Sequence, residues 1–155
     1  MAVNITDVID LFMTQIDDYR LTALYQSSET DFTVYLTSFL NFAIVEFTPI
    51  CTQSLVYDGT TKNFTDTLTL ENQVILAQLM VKYWLNKEVQ DITQMSIHIR
   101  DKDFSIHSEA NNLKEKSAYL MTVKENLSQI LNDYSYRNQD WSLWINQSFN
   151  GYTGS

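Results

Sequence analysis

Two histidines and three carboxylates fall within twelve residues, in His98-Ile-Arg-Asp101-Lys-Asp103-Phe-Ser-Ile-His107-Ser-Glu109. These are residue types that ligate zinc or another divalent ion, or that move protons. Their spacing matches none of the mechanistic patterns: there is no HExxH, no CxxC, and no Asp/Asn ladder with the glycine and closing Glu of a calcium loop. Met95, Ile97 and Ile99 alternate with polar residues, as in a short strand or extended link, and Asp101-Lys102-Asp103 is turn chemistry. The segment therefore reads as a connector. A metal-dependent hydrolase using His98, Asp101, Asp103 and His107 stands only as a minor alternative. Cys51 is the single cysteine, and the glycines are Gly59, Gly151 and Gly154. No disulfide, thiolate cluster, phosphate-binding loop or nucleophile elbow can be built from them. An enzyme is not expected, and no catalytic, cofactor or metal residue is assigned.

A second set of residues has the chemistry of recognition. The chain ends in DWSLWINQSFNGYTGS, where Trp141, Trp144, Ile145 and Phe149 fall at i, i+3, i+4 and i+8 and Tyr152 follows. That spacing makes one apolar helical face. Large aromatics are favoured interface anchors, and an apolar patch outside a core usually marks a partner surface.

The elements that must carry these residues are mainly helical. Ile106, Ala110, Leu113, Ser117, Leu120, Lys124, Leu127, Leu131 and Tyr134 are spaced alternately four and three apart, a heptad seam. A helix over Ser108 to Arg137 would span about 45 Å at 1.5 Å per residue. Its seam asks for a neighbouring helix at a shallow angle, with Lys124 burying its stem and keeping its ammonium in water. Upstream, Thr6 is expected to cap a first helix over Asp7 to Tyr19, with Val8, Ile9, Phe12, Ile16 and Tyr19 on one side. QSSETD is a loop with a cap. Phe32, Tyr35, Leu36, Phe39, Leu40, Ala43 and Phe47 then recur at helical spacing until Pro49, with a strand as the alternative because of the β-branched and aromatic content. Asp58-Gly59 marks a turn in a small hairpin or structured loop between Cys51 and Leu68. Thr69 caps a helix over Leu70 to Val89, whose wide stripe of Val74, Ile75, Leu79, Met80, Tyr83 and Trp84 places it at the centre of the bundle.

The expected fold is thus a mainly α bundle of about four helices, with one long C-terminal helix, a hairpin or loop insertion and an extended arm. Residues 1–137 form the bundle and 138–155 the arm. A chain of 155 residues with 45% hydrophobic content supplies one core without a covalent staple. Acids at the N-terminus and the lack of a long apolar stretch exclude a secretory signal and a membrane span as expectations. A net charge of −9 argues against direct grip on nucleic acid. The acids cluster at Asp7, Asp10, Asp17 and Asp18, and again at Asp101 and Asp103. Such clusters are solvated faces, or surfaces that repel something acidic.

The succession LENQVILAQLMVKYWLNKEV, DKDFSIHSEANNLKEKSAYL and NDYSYRN resembles the neck proteins of tailed bacteriophages, the head–tail connector or adaptor family. The resemblance covers roughly Leu55 to Asn138, and is carried by Asp103-Phe104, by Ser108 to Leu120 and by Tyr134-Ser135-Tyr136-Arg137. It implies a helical bundle assembled as a ring, usually of twelve copies, beneath the portal vertex, with a C-terminal arm on the portal. The expected partners are the portal protein, a stopper or other neck or tail protein, and further copies of the chain. DNA passes through without specific binding, and there is no membrane or cofactor. The chain would be made in the host cytoplasm and reside in the virion neck. Trp141, Trp144, Ile145, Phe149 and Tyr152 would dock on the portal, and Asp7, Asp10, Asp17, Asp18, Asp101 and Asp103 would repel DNA in the lumen. A stopper or tail-completion component remains open. So does a different class, a cytoplasmic helical regulator that uses its aromatic tail on a host protein.

Overall fold

The computed structural model describes residues 2–98 and 106–140. Five helices follow in order: α1 (Ile5–Met13), α2 (Tyr19–Ser27), α3 (Glu29–Phe47), α4 (Leu70–His98) and α5 (Ile106–Asn138). The fold is a mainly α bundle with a long C-terminal helix, as the periodicity predicts. Isolated bridges are the only β pairing among the described residues.

The N-terminal region departs from expectation. Asn4, not Thr6, caps α1: its side chain accepts from the Thr6 amide, and its own amide donates to Asp7 Oδ2 at 2.7 Å in a capping box. The helix stops at Met13 and does not reach Tyr19, because local polar groups capture its backbone. Thr14 Oγ1 and Gln15 Nε2 donate to the Leu11 carbonyl at 2.7 and 3.1 Å. Asp18 then accepts from the Arg20 amide at 2.7 Å and starts α2, a helix absent from the sequence reading.

Ser28 caps α3 through the Asp31 amide, and the strand alternative for this segment is excluded. Phe32, Leu36, Phe39, Leu40, Ala43 and Phe47 are all buried, the face the spacing marked. The loop that follows is tied by Asp58, whose Oδ1 accepts from the Thr60 and Thr61 amides at 2.7 and 2.6 Å. Those two amides hold the Asp58 carboxyl below its ordinary pKa. Tyr57 and Phe64 face each other in an antiparallel bridge, so the loop is pinched like a hairpin. The left-handed backbone falls on Lys62, at φ 61°, rather than on Gly59.

Helix α4 is the centre of the bundle and packs on α1, α3 and α5. It continues nine residues past the expected end at Val89, which corrects the reading of Met95 and Ile97 as extended. No Gly or Pro interrupts this stretch, Thr93 Oγ1 donates to the Val89 carbonyl at 2.7 Å, and Lys87 pairs with Asp91 one turn on. Ile99, Asp101 and Asp103 lie outside the described residues.

Along α5, Leu120, Leu127 and Tyr134 are buried at seven-residue intervals, and Val123, Ile130 and Leu131 pack partly against the core. Leu113 and Ser117 are half-buried and Lys124 is exposed. The inner seam therefore runs through Val123 rather than Lys124, since an apolar neighbour one residue away fills the position with no ammonium to accommodate. Ile106 and Ala110 belong to the helix, but their packing lies outside the description. Tyr134 closes the far end of the bundle: its ring meets Phe47 edge-on at 5.1 Å, and its hydroxyl lies 3.2 Å from the Thr52 amide nitrogen, accepting that N–H.

Candidate interaction surface

The outer face of α3 exposes apolar side chains with no charge among them. Between Asp31 and Glu46 this helix carries no charged residue. One side of it is buried; the other exposes Val34, Ser38, Asn41, Phe42, Val45 and Thr48. Val34 is 67% exposed, Phe42 57% and Val45 74%. The exposed side mixes these apolar side chains with uncharged polar ones, and no described residue covers Val34 or Val45. Phe42 is supported by Tyr83, stacked on it with ring centroids 5.4 Å apart.

The loop after α3 extends this face. A cleft of about 490 Å³ runs between them, walled by Ile44, Val45, Leu55, Val56 and Tyr57 and rimmed by Asn41, Thr48, Gln53 and Ser54. Tyr57 is held in place by its hydroxyl donating to Asn41 Oδ1 at 2.9 Å. Gln53 anchors the other wall: its Oε1 accepts from the Thr69 amide and from the buried Asn72 side chain, at 2.9 and 2.7 Å. The cleft is thus a formed feature that carries no charge.

Charge gathers elsewhere. Glu88 on α4 is buried, and its Oε2 accepts from both Arg20 of α2 and Lys116 of α5, the latter at 2.8 Å. Asp18 shares Arg20, and the Lys116 ammonium lies 5.7 Å from the Trp84 ring centroid. A second group joins α3 to α4, where Glu46 Oε2 accepts from Lys82 and from the Tyr83 hydroxyl. Burial, reinforced by the hydrogen bond to Glu46 and by that carboxylate's charge, pushes the Tyr83 phenol up to about 12. Arg137 pairs with Glu71 at 2.5 Å and ties the end of α5 to the start of α4. Each of these groups joins one helix to another. No group of three or more His, Cys, Asp or Glu side chains converges in metal-binding geometry among the described residues.

No protein-family model matches this chain, and neither a curated protein nor a solved structure does. Among the described residues no helix is long and apolar enough to cross a membrane.

The residues singled out in the sequence divide accordingly. Asp7, Asp10 and Asp17 are exposed and Asp18 is half-buried; Asp7 and Asp18 each serve a helix N-terminus. Trp141, Trp144, Ile145, Phe149 and Tyr152 lie outside the described residues, as do the side chains of His98 and His107. The face made by Val34, Phe42, Val45 and Val56 was missed as a surface. Its signal was the uncharged run from Phe32 to Val45, which leaves the helix no charged side to turn outward.

Proposed function

We propose that this chain is a structural assembly subunit, a neck adaptor of a tailed phage that forms a ring beneath the portal, extends the DNA channel and joins the capsid to the next neck or tail component. The observation that carries the assembly reading is the uncharged outer face of α3 around Val34 and Phe42, exposed among the described residues. The resemblance over Leu55 to Asn138 supplies the kind of assembly. Subunits pack side by side through helical faces such as α3, with twelve copies as the implied ring. Trp141, Trp144, Ile145, Phe149 and Tyr152 form the arm that docks on the portal. The acids at Asp7, Asp10, Asp17 and Asp18, with Asp101 and Asp103, turn toward the channel and keep phosphates from sticking. The chain carries out no turnover, and its place is the virion neck.

Deleting residues 140–155 and measuring co-assembly with purified portal rings tests the docking role. The reading expects binding to be lost while the bundle stays folded. Full retention of binding would contradict the docking role.

A further inference from the structure

The cleft between α3 and the loop after it has features that define its occupant. Val45 of α3 and Val56 of the loop both line it, 74% and 65% exposed. Its walls and rim hold no ionisable carboxylate or amine, whereas the clefts beside Arg20 and beside Lys82 are lined by charged side chains. The uncharged cleft beside Gln78 encloses about 170 Å³, roughly a third of the 490 Å³ found here. An occupant must be apolar and neutral, because a charge buried there would lose its water and gain no partner.

Such a segment follows α5 directly. From Trp141 to Ser155 the chain has no Asp, Glu, Lys or Arg. Helix α5 also delivers it to the correct end of the bundle. Tyr134 reaches the Thr52 amide, and the next two residues, Gln53 and Ser54, are the rim of the cleft. Asn138 is about 6 Å beyond Tyr134 along the helix. Beyond Asp140, the four residues from 141 to 144 add up to about 14 Å when extended.

We propose that the cleft between Val45 and Val56 is the seat of this chain's own C-terminal segment, which inserts Trp141 or Trp144. The seat is a property of the single chain and does not depend on the neck assignment. A flat indole buries a large apolar area at low conformational cost, and its N–H can reach the amide and hydroxyl groups of the rim. A partner that takes the arm must first draw it out of this cleft, so Val45 and Val56 set how available the arm is.

Fluorine NMR of the full chain labelled with 5-fluorotryptophan tests this. The three resonances, from Trp84, Trp141 and Trp144, are assigned by replacing each residue with Phe. Val45→Asp is expected to move a tail resonance and increase its solvent isotope shift in deuterated water, leaving the Trp84 resonance in place. Val56→Asp, on the loop side of the cleft, should do the same, and both effects should persist on dilution. Tail resonances that are identical in the three chains would overturn the proposal. So would shielding that vanishes on dilution, which would put the tail on a second copy.

Discussion

Replacing Glu88 by Gln keeps the side chain's shape and removes the charge that joins three helices. Its carboxylate is only 7% exposed, and its Oε2 lies 2.8 Å from the Lys116 ammonium and also accepts from Arg20. At an effective dielectric of 20 the Lys116 attraction alone is about 6 kcal/mol before desolvation is subtracted. Removing one partner of a fully buried pair costs about 3–5 kcal/mol, most of it from the charge left behind. Here the stranded cations have an exit, since the Arg20 side chain is 53% exposed and Lys116 25%. The expected loss is therefore about 1–3 kcal/mol. At about 2–4 °C per kcal/mol for a chain of this size, the midpoint of thermal unfolding should fall by about 2–12 °C. Helix α2, whose one buried side chain is Leu21, should lose hydrogen-exchange protection first. In a Lys116→Met background the same substitution should cost less than half as much, because only one cation then depends on Glu88. An unchanged midpoint for Glu88→Gln, or an equal cost in both backgrounds, would refute this account of the joint.

Three further outcomes follow from the geometry. Leu127→Ala should cost about 2–5 kcal/mol, and Lys124→Ala less than about 0.5; urea unfolding of both variants checks which register of α5 faces the core. Because folded Tyr83 holds its proton up to about 12 while the unfolded phenol releases its own near 10, this contribution to stability is complete below pH 10 and declines as pH rises toward 12. Tyr83→Phe should lack that part of the decline when urea midpoints are compared across the range. Val34→Asp, at a site 67% exposed, should change stability by less than about 0.5 kcal/mol. If the α3 face is covered in the assembly, the same change removes about 1–2 kcal/mol of apolar burial and weakens association roughly 5- to 30-fold by sedimentation.

The three longer helices were legible because each buries a continuous stripe at helical spacing, as Phe32 to Phe47 does in α3. Helix α2 was not, since a helix that buries only Leu21 leaves almost no periodic signal, and Asp17 and Asp18 read as charge rather than as a break and a cap. In α5 two seams share Leu113, Leu120, Leu127 and Tyr134 and differ between Val123 and Lys124 and between Ile130 and Leu131. A seven-residue period cannot separate them, and packing on α4 does. The reach of α4 past Val89 was obscured by alternating Met95, Ile97 and Ile99, a pattern that strands and helices share over so few residues. The surface on α3 was present in the sequence as an absence of charge, which a search for catalytic residues passes over. The aromatic arm was conspicuous, while the cleft suited to it appears only when the loop from Gln53 to Tyr57 folds against α3.

The central claim is that the chain functions by assembling, and native mass measurement of the chain alone and mixed with purified portal rings tests it most directly. The account predicts a discrete high-mass ring, of many copies, that forms at least in the presence of the portal. A chain that stays a monomer or dimer in both conditions would contradict it and favour a helical binding module instead.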